Sequence, residues 1–271
     1  MKLTMLGTGN ALVTECYNTC FVVSDGDKHF LVDGGGGSGI LRQLKLTSFN
    51  WKDMREIFLT HKHIDHFTGI LWLVRMICQC MICQYMNQRE YTGEAKIYAH
   101  AEVLRLLEDI AKKLLQPKET NFIGDRLHLI PVADGEVVNV IGHATTFFDI
   151  QSTKTKQFGF SMDIGGAKKL TCCGDEPCNE YGKSYAENSE WLLHEAFCLY
   201  SQTDIFDPYG KNHSTVKDAC ELAEKLHVKN LLIYHTEDKN LSERKKLYCA
   251  EGRKYFSGKI YVPNDLETLA L

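Results

Sequence analysis

Three histidines and an aspartate lie within six residues in the segment THKHIDHFTG (60–69) and strongly constrain this chain. The segment directly follows the apolar run REIFL, which predicts that it begins where a β-strand ends. His61 and His63 are two residues apart, so on an extended chain their side chains point the same way. Asp65 and His66 follow where the chain turns into a helix, so their side chains can point to a second metal position beside the first. Imidazole and carboxylate groups suit zinc, and less strongly manganese or iron, so the spacing predicts two adjacent divalent metal ions.

The composition is that of a globular protein and excludes few functions. The chain has 271 residues, of which 44% are hydrophobic and 24% charged, enough for one large domain or two small ones. A net charge of −4 does not indicate a nucleic-acid-binding protein, although a local basic patch could suffice. Eleven cysteines are an odd number, and the start MKLTMLGTGNA resembles a strand and a glycine turn, so we expect a reduced, cytoplasmic protein. The most apolar stretch (70–86) is too short and too polar to span a membrane.

The order of the expected elements predicts an α/β fold. Short β-like runs such as KLTML and TCFVVS alternate with helical stretches near 67–87, 101–115 and 215–226. Two β-rich halves, roughly 1–120 and 121–271, each end in helices, and no low-complexity linker separates them. We therefore expect one domain over 1–271, an αββα sandwich of two facing mixed β-sheets flanked by helices.

The segment THKHIDH resembles the signature of the metallo-β-lactamase fold, and later residues match that family in chain order. Asp175 in TCCGDEP resembles the family's metal-bridging aspartate, and His235 in LLIYHTED resembles its last histidine ligand. Asp33 in LVDGGGG resembles the aspartate that orients the ligands. The resemblance implies two divalent ions, zinc first with manganese or iron possible, held by His61, His63, Asp65, His66, Asp175 and His235. From the residues alone, Asp175 could instead be a turn residue and His235 a buried hydrogen-bonded histidine. Asp33 could cap the following helix, a role that is compatible with orienting the ligands.

Two further segments, LHEAF (193–197) and HST (213–215), resemble elements of the ribonuclease Z branch of that family. That resemblance implies that Glu195 and His213 form a proton-donating pair, beside Asp65 as a ligand that also orients the nucleophile. A carboxylate next to an imidazole keeps it protonated, and the imidazolium can then protonate a departing phosphodiester oxygen. Alternatively, His213 simply precedes a helix, with Ser214 as its natural cap.

Two features depart from the branch. The family places a further histidine near Gln151 or Ser152, and His143 lies about two strand-lengths from that position. The basic arm with which ribonuclease Z enzymes grip tRNA is also missing, because only fifteen residues separate Gly159 from Asp175.

The sequence therefore predicts a metal-dependent phosphodiesterase whose substrate is smaller than precursor tRNA, such as a cyclic nucleotide or a short oligonucleotide. Two alternatives stay open, a true tRNA 3′-processing endonuclease and a non-catalytic ligand-binding module on the hydrolase fold. The resemblance also implies a possible homodimer.

Overall fold

Two seven-stranded β-sheets form the centre of the molecule. The computed structural model describes residues 1–47, 49–87 and 93–271, without the side chains of 83–87. The first sheet contains β1 (Lys2–Gly7), β2 (Cys20–Asp25), β3 (Lys28–Val32), β4 (Glu56–Phe58), β5 (Ala95–Ala99), β6 (Leu127–Pro131) and β14 (Thr268–Ala270). The second sheet contains β7 (Val137–Val140), β8 (His143–Asp149), β9 (Phe158–Gly165), β10 (Lys168–Cys172), β11 (Trp191–Glu195), β12 (Asn230–Tyr234) and β13 (Lys259–Tyr261).

Helices accompany both sheets. They are α1 (Gly39–Leu46), α2 (Ile64–Asn87), α3 (Ala101–Leu114), α4 (Pro117–Thr120), α5 (Glu180–Ala186), α6 (Thr203–Phe206), α7 (Val216–Lys225) and α8 (Arg244–Gly252), with 3-10 turns at Trp51–Asp53 and Tyr200–Gln202. Within the described residues, no helix combines the length and the apolar character that crossing a bilayer requires.

Both faces of the central strands are covered, which explains why strands such as β2 and β12 have buried residues on both of their faces. On β2, Phe21 and Val23 pack into the cluster between the sheets, whereas Cys20 and Val22 face the cluster that includes α2 and α3. Successive strand residues point to opposite faces, so a strand buried on both sides needs apolar residues at every position. The inner cluster joins residues of both sheets, among them Phe58 and Phe160, whose rings lie 6.0 Å apart edge to face.

Each sheet mixes parallel and antiparallel pairs. Strands β3 to β6 run parallel in the first sheet, and β10 to β13 run parallel in the second. The expected sandwich of two mixed sheets with flanking helices is confirmed. The boundary between the two halves lies after residue 120, because β6 pairs with β5 in the first sheet. The last strand, β14, also belongs to the first sheet, where it pairs with β1.

Candidate metal and active site

The candidate ligands lie where strands of both sheets end. His61 follows β4 and Asp33 follows β3, while Asp175 follows β10, Glu195 ends β11 and His235 follows β12. Parallel strands present their carboxyl ends at one edge of a sheet, where open α/β sheets commonly bind ligands. Residues that are separated by up to some 200 positions in the chain therefore lie together at this edge.

Two of these strand ends have an unusual backbone. Asp33 and His235 both adopt a left-handed conformation with φ of 58°. Such a conformation is uncommon for residues other than glycine, although aspartate, asparagine and histidine tolerate it best, and it persists only where the surroundings hold it. Next to His235, the backbone N–H of Thr236 donates to the carbonyl of Thr8, and the carbonyl of Thr236 accepts the backbone N–H of Asn10. The left-handed turn and these two bonds fix the backbone that carries the His235 side chain.

His61, His63 and Asp175 form a first cluster, in which one ligand atom of each lies within 4.8 Å of the others. Nε2 of His61 lies 2.8 Å from Nδ1 of His63 and 3.4 Å from Oδ2 of Asp175. The Thr60 hydroxyl donates to Asp33 over 2.8 Å, so its oxygen accepts the Nδ1 proton of His61 at 2.9 Å. That arrangement leaves the lone pair of His61 on Nε2, the nitrogen directed into the cluster.

Asp65, His66 and His235 form a second, fully buried cluster. Oδ2 of Asp65 lies 3.4 Å from Nε2 of His66 and 3.5 Å from Nε2 of His235. Asp33 accepts a hydrogen bond from Nδ1 of His66 at 2.7 Å and from the backbone N–H of Thr60 at 2.8 Å. Asp33 thereby orients both clusters, because it fixes the His66 ring directly and the His61 ring through Thr60.

Asp175 belongs to both clusters through a single oxygen. Its Oδ2 lies 3.4 Å from Nε2 of His61 and 3.9 Å from Nδ1 of His63. The same atom lies 3.5 Å from Nε2 of His66 and 3.8 Å from Nε2 of His235. One carboxylate oxygen surrounded by four imidazoles is the geometry that a ligand shared by two neighbouring cations requires.

The electrostatics of the site favour positive charge inside it. Burial disfavours the charged form of Asp175, but His61, His63 and His66 outweigh it and hold the pKa of Asp175 well below its ordinary value. Burial likewise opposes the Asp65 carboxylate, yet His66 and His235 lower the pKa of Asp65 overall. Burial disfavours the charged imidazole of His66, but Asp33 and Asp65 raise the pKa of His66 well above its usual range.

The unsatisfied nitrogens show that the clusters fit metal ions. Nε2 of His66 and both ring nitrogens of His235 are buried without a hydrogen-bond partner among the residues that the structure describes. Leaving a buried polar atom unpaired costs about 1–3 kcal/mol, which coordination of a cation would offset. The donor set of four imidazoles and two carboxylates matches divalent zinc, manganese or iron.

Glu195 and His213 meet beside the second cluster. Oε1 of the fully buried Glu195 accepts the backbone N–H of Ser214 at 2.5 Å, and its Oε2 lies 3.5 Å from Nδ1 of His213. The His213 ring stacks on Phe197 at 5.0 Å and lies 5.2 Å from the ring of His235. Because Nδ1 is turned toward Glu195, Nε2 is the nitrogen left to act on a ligand.

Ser214 is not the helix cap that sequence reasoning favoured. Thr215 caps α7, since its side chain accepts from the N–H of Asp218 and Asp218 in return accepts from the N–H of Thr215. The backbone of Ser214 instead holds Glu195.

The positions expected to carry a further histidine do not contribute to the clusters. Gln151 is exposed, and the Ser152 hydroxyl donates to Glu176 at 2.7 Å. His143 begins β8 at the opposite edge of the sheet, about 20 Å along a seven-residue strand from the site. Its ring lies 2.9 Å from the carbonyl of Asp163 and 3.1 Å from Asp25, so His143 does not reach the metal clusters.

Two residues at the site were missed by sequence reasoning. Gln157, just before β9, is fully buried and donates its side-chain N–H to Oδ1 of Asp175. Glu176 accepts from Ser152 and, at 2.9 Å, from Asn212, next to His213. The only local signal for either was its position beside a strand end or a candidate ligand.

We expect Asp33→Asn to lower metal affinity about 10- to 100-fold, the usual effect of removing a residue that orients metal ligands. The amide cannot accept hydrogen bonds from both Thr60 and His66 as the carboxylate does. The His66 ring, and the His61 ring through Thr60, therefore lose their fixed tautomers. Competition with a chromophoric chelator measures the change. Asp27→Asn, in the exposed turn between β2 and β3, is the matched control. Equal affinities in the two variants would contradict the orienting role of Asp33.

Comparison with known proteins identifies relatives over nearly the whole chain. The family described as anti-Pycsar protein Apyc1 matches residues 1–252. A ribonuclease Z of Thermococcus gammatolerans is 37% identical, with 86% of this chain and 83% of the relative covered. The ribonuclease Z of Archaeoglobus fulgidus is 24% identical over 96% of this chain and 94% of its own length.

Solved structures share the fold. The metallo-β-lactamase-fold protein YhfI from Bacillus subtilis superposes with a TM-score of 0.75 at 18% identity, covering 99% of both chains. Zn²⁺-bound PqqB from Methylobacterium extorquens has a TM-score of 0.73 at 16% identity over all of both chains. The short form of human tRNase Z has a TM-score of 0.70 at 19% identity, covering 100% of this chain and 99% of its own.

Proposed function

This chain belongs to the family of the anti-Pycsar protein Apyc1 and to the ribonuclease Z-like branch of the metallo-β-lactamase-fold hydrolases, and we propose that it is a metal-dependent phosphodiesterase acting on a small phosphodiester. The observation that carries the proposal is the single oxygen of Asp175 amid four histidines, with the Glu195–His213 pair beside it.

We assign the six ligands to two divalent ions. His61, His63 and Asp175 would hold one ion, and Asp65, His66 and His235 would hold the other. Oδ2 of Asp175 also lies near His66 and His235, so Asp175 could serve both. When bound, such ions act as Lewis acids and lower the pKa of coordinated water toward about 7. The Asp65 carboxylate would orient the nucleophilic water as well as serving as a ligand.

His213 is the proton donor for the leaving group. The Glu195 carboxylate, buried and fixed by the N–H of Ser214, stabilises positive charge on the His213 ring. The stack on Phe197 holds the plane of the ring. From Nε2 the imidazolium donates its proton to the departing oxygen, which suits a phosphodiester because an alkoxide is a poor leaving group.

The chain between Gly159 and Asp175 supports a small substrate. Strands β9 and β10 fill this interval as an antiparallel hairpin, joined at the turn Gly165–Gly166–Ala167. The interval has no room for an extended basic arm, and the net charge of the protein is −4. Phosphate contacts supply much of the affinity for nucleic acids, so a cyclic nucleotide or a short oligonucleotide fits this surface better than precursor tRNA.

We expect the metal-loaded protein to release p-nitrophenol from bis-p-nitrophenyl phosphate and Asp65→Ala to lose this metal-dependent release. The variant removes both a ligand of the second ion and the group that orients water. The exposed Asp109→Ala on α3 is the matched control and should keep wild-type rates. Two bound ions without any turnover would instead identify a non-catalytic ligand-binding module.

A substrate panel separates the small-substrate proposal from a tRNA endonuclease. Cyclic nucleotides, short oligonucleotides and precursor tRNA are compared by kcat/KM at one metal concentration and one ionic strength. We expect the smaller phosphodiesters to be hydrolysed more efficiently. Accurate and efficient trimming of tRNA 3′ ends would overturn the preference.

A further inference from the structure

Gln157 is a buried amide whose side chain, among the described residues, hydrogen-bonds to Asp175. The side chain is fully buried, and its Nε2 donates to Oδ1 of Asp175. Oδ2, the other oxygen of the same carboxylate, is the atom that faces the four histidines. A carboxylate held at one oxygen can rotate less, so this hydrogen bond determines where the shared oxygen lies.

The backbone on both sides of Gln157 is fixed to the site. Its carbonyl accepts the N–H of Ile150 at 3.0 Å, and the N–H of the next residue, Phe158, binds the carbonyl of Thr60 at 3.1 Å. Since β9 runs antiparallel to β10, the start of β9 lies at the edge where β10 ends and Asp175 follows. Gln157 therefore approaches Asp175 from a strand start, the opposite direction to the ligands at strand ends.

The Gln157 amide packs closely against the loop before Asp175. A Cβ at Gly174, which adopts φ of 81°, would lie 2.7 Å from Nε2 of Gln157. The loop before Asp175 thus needs a glycine both for its backbone conformation and for the close approach of this side chain.

The remaining polar atom of Gln157 is unsatisfied. Its Oε1 is buried and has no hydrogen-bond partner among the described residues. The unpaired oxygen belongs to the same amide group whose nitrogen binds Asp175. A buried carbonyl oxygen without a donor is destabilising unless a cation or its water comes within reach.

We infer that Gln157 is the positioning residue that replaces the histidine absent from Gln151 and Ser152. Its N–H binds Oδ1 of Asp175 and so fixes Oδ2, the oxygen that faces the four histidines, and its buried carbonyl oxygen is a neutral acceptor on the same amide. The inference rests on the metal centre of the proposed function. The first ion has fewer protein ligands than the family pattern supplies. We infer that its binding depends on the Gln157 amide, a group that is not a typical metal ligand.

The test is metal binding by Gln157→Met, which keeps the length and volume of the side chain but cannot donate to Asp175. Metal-free protein is titrated with Zn²⁺ against a chromophoric chelator, and with Co²⁺ while its visible absorption is recorded. We expect one of two sites to weaken about 10- to 100-fold, with a changed Co²⁺ spectrum for that site. Gln151→Met, the same change at the exposed position where the family histidine was expected, should bind both ions as the wild type does.

Each outcome is decisive. Wild-type affinities and an unchanged Co²⁺ spectrum in Gln157→Met would overturn the inference, as would equal losses in Gln157→Met and Gln151→Met. If Gln157→Met does not fold, Gln157→Asn, whose amide is one methylene too short to reach Asp175, replaces it. A wild-type protein that binds no metal would refute the proposed function itself, a result distinct from failure of the Gln157 inference.

Discussion

Replacing Asp175 with alanine is expected to abolish phosphodiesterase activity and to reduce the metal content below one ion per chain. Among the described residues, Oδ2 of Asp175 is the one carboxylate oxygen that faces all four candidate histidine ligands, and the variant removes it. No other described carboxylate then links the two clusters. Loss of metal-based stabilisation worth about 5–6 kcal/mol corresponds to a fall in kcat/KM of about 10⁴-fold.

Metal content is measured by mass spectrometry after gel filtration, beside kcat/KM for bis-p-nitrophenyl phosphate. Asp163→Ala provides the matched control, because Asp163 lies exposed on β9 near the far end of the same hairpin. Two ions bound at wild-type affinity in Asp175→Ala would contradict the bridging role, whatever the activity.

His213→Ala is expected to lower kcat by about 10²- to 10⁴-fold on a substrate with an alkoxide leaving group, the range typical of a lost general acid. Metal content should stay at the wild-type value, since His213 belongs to neither ligand cluster. The loss should be much smaller for bis-p-nitrophenyl phosphate, because p-nitrophenolate leaves without needing a proton. Steady-state kinetics on a cyclic nucleotide and on the aryl ester measures both effects.

This dependence on the leaving group distinguishes proton donation from a structural role of His213. A variant that had merely distorted the site would lose the same factor on both substrates. His128→Ala is the control and should change neither rate. His128 lies on β6, away from the two clusters, and its Nε2 is 3.1 Å from Oε2 of Glu94. Glu195→Gln should reproduce the pattern of His213→Ala, because it removes the carboxylate charge that faces Nδ1 of His213.

Local sequence pattern was sufficient to predict much of the fold, and the candidate ligands that the family resemblance added to THKHIDH lie close to it in the structure. The run THKHIDH after an apolar strand indicated where His61 and His63 emerge, and the structure shows them at the end of β4. The separation of His143 from the expected position, counted in strand lengths, correctly indicated that it does not reach the site. These inferences succeeded because strand geometry determines both the direction and the reach of side chains.

Contacts between distant segments could not be predicted in the same way. Nothing in the local pattern of Thr268–Ala270 indicates that β14 pairs with β1, since that pairing joins the two ends of the chain. Gln157 shows no signal of its own, because an amide is not a typical metal ligand and its role depends on where Asp175 lies. Such residues are recognised only from burial and from an unsatisfied polar atom, which require the folded structure.

The most direct test of the two-metal phosphodiesterase is a single titration. Metal-free protein receives increasing equivalents of Zn²⁺ or Mn²⁺ while the hydrolysis of bis-p-nitrophenyl phosphate is followed at each step. We expect turnover to rise and reach a plateau at two equivalents per chain, as two clusters that share Asp175 require. A plateau at one equivalent would contradict the binuclear site, and two tightly bound ions with no turnover would contradict the enzyme.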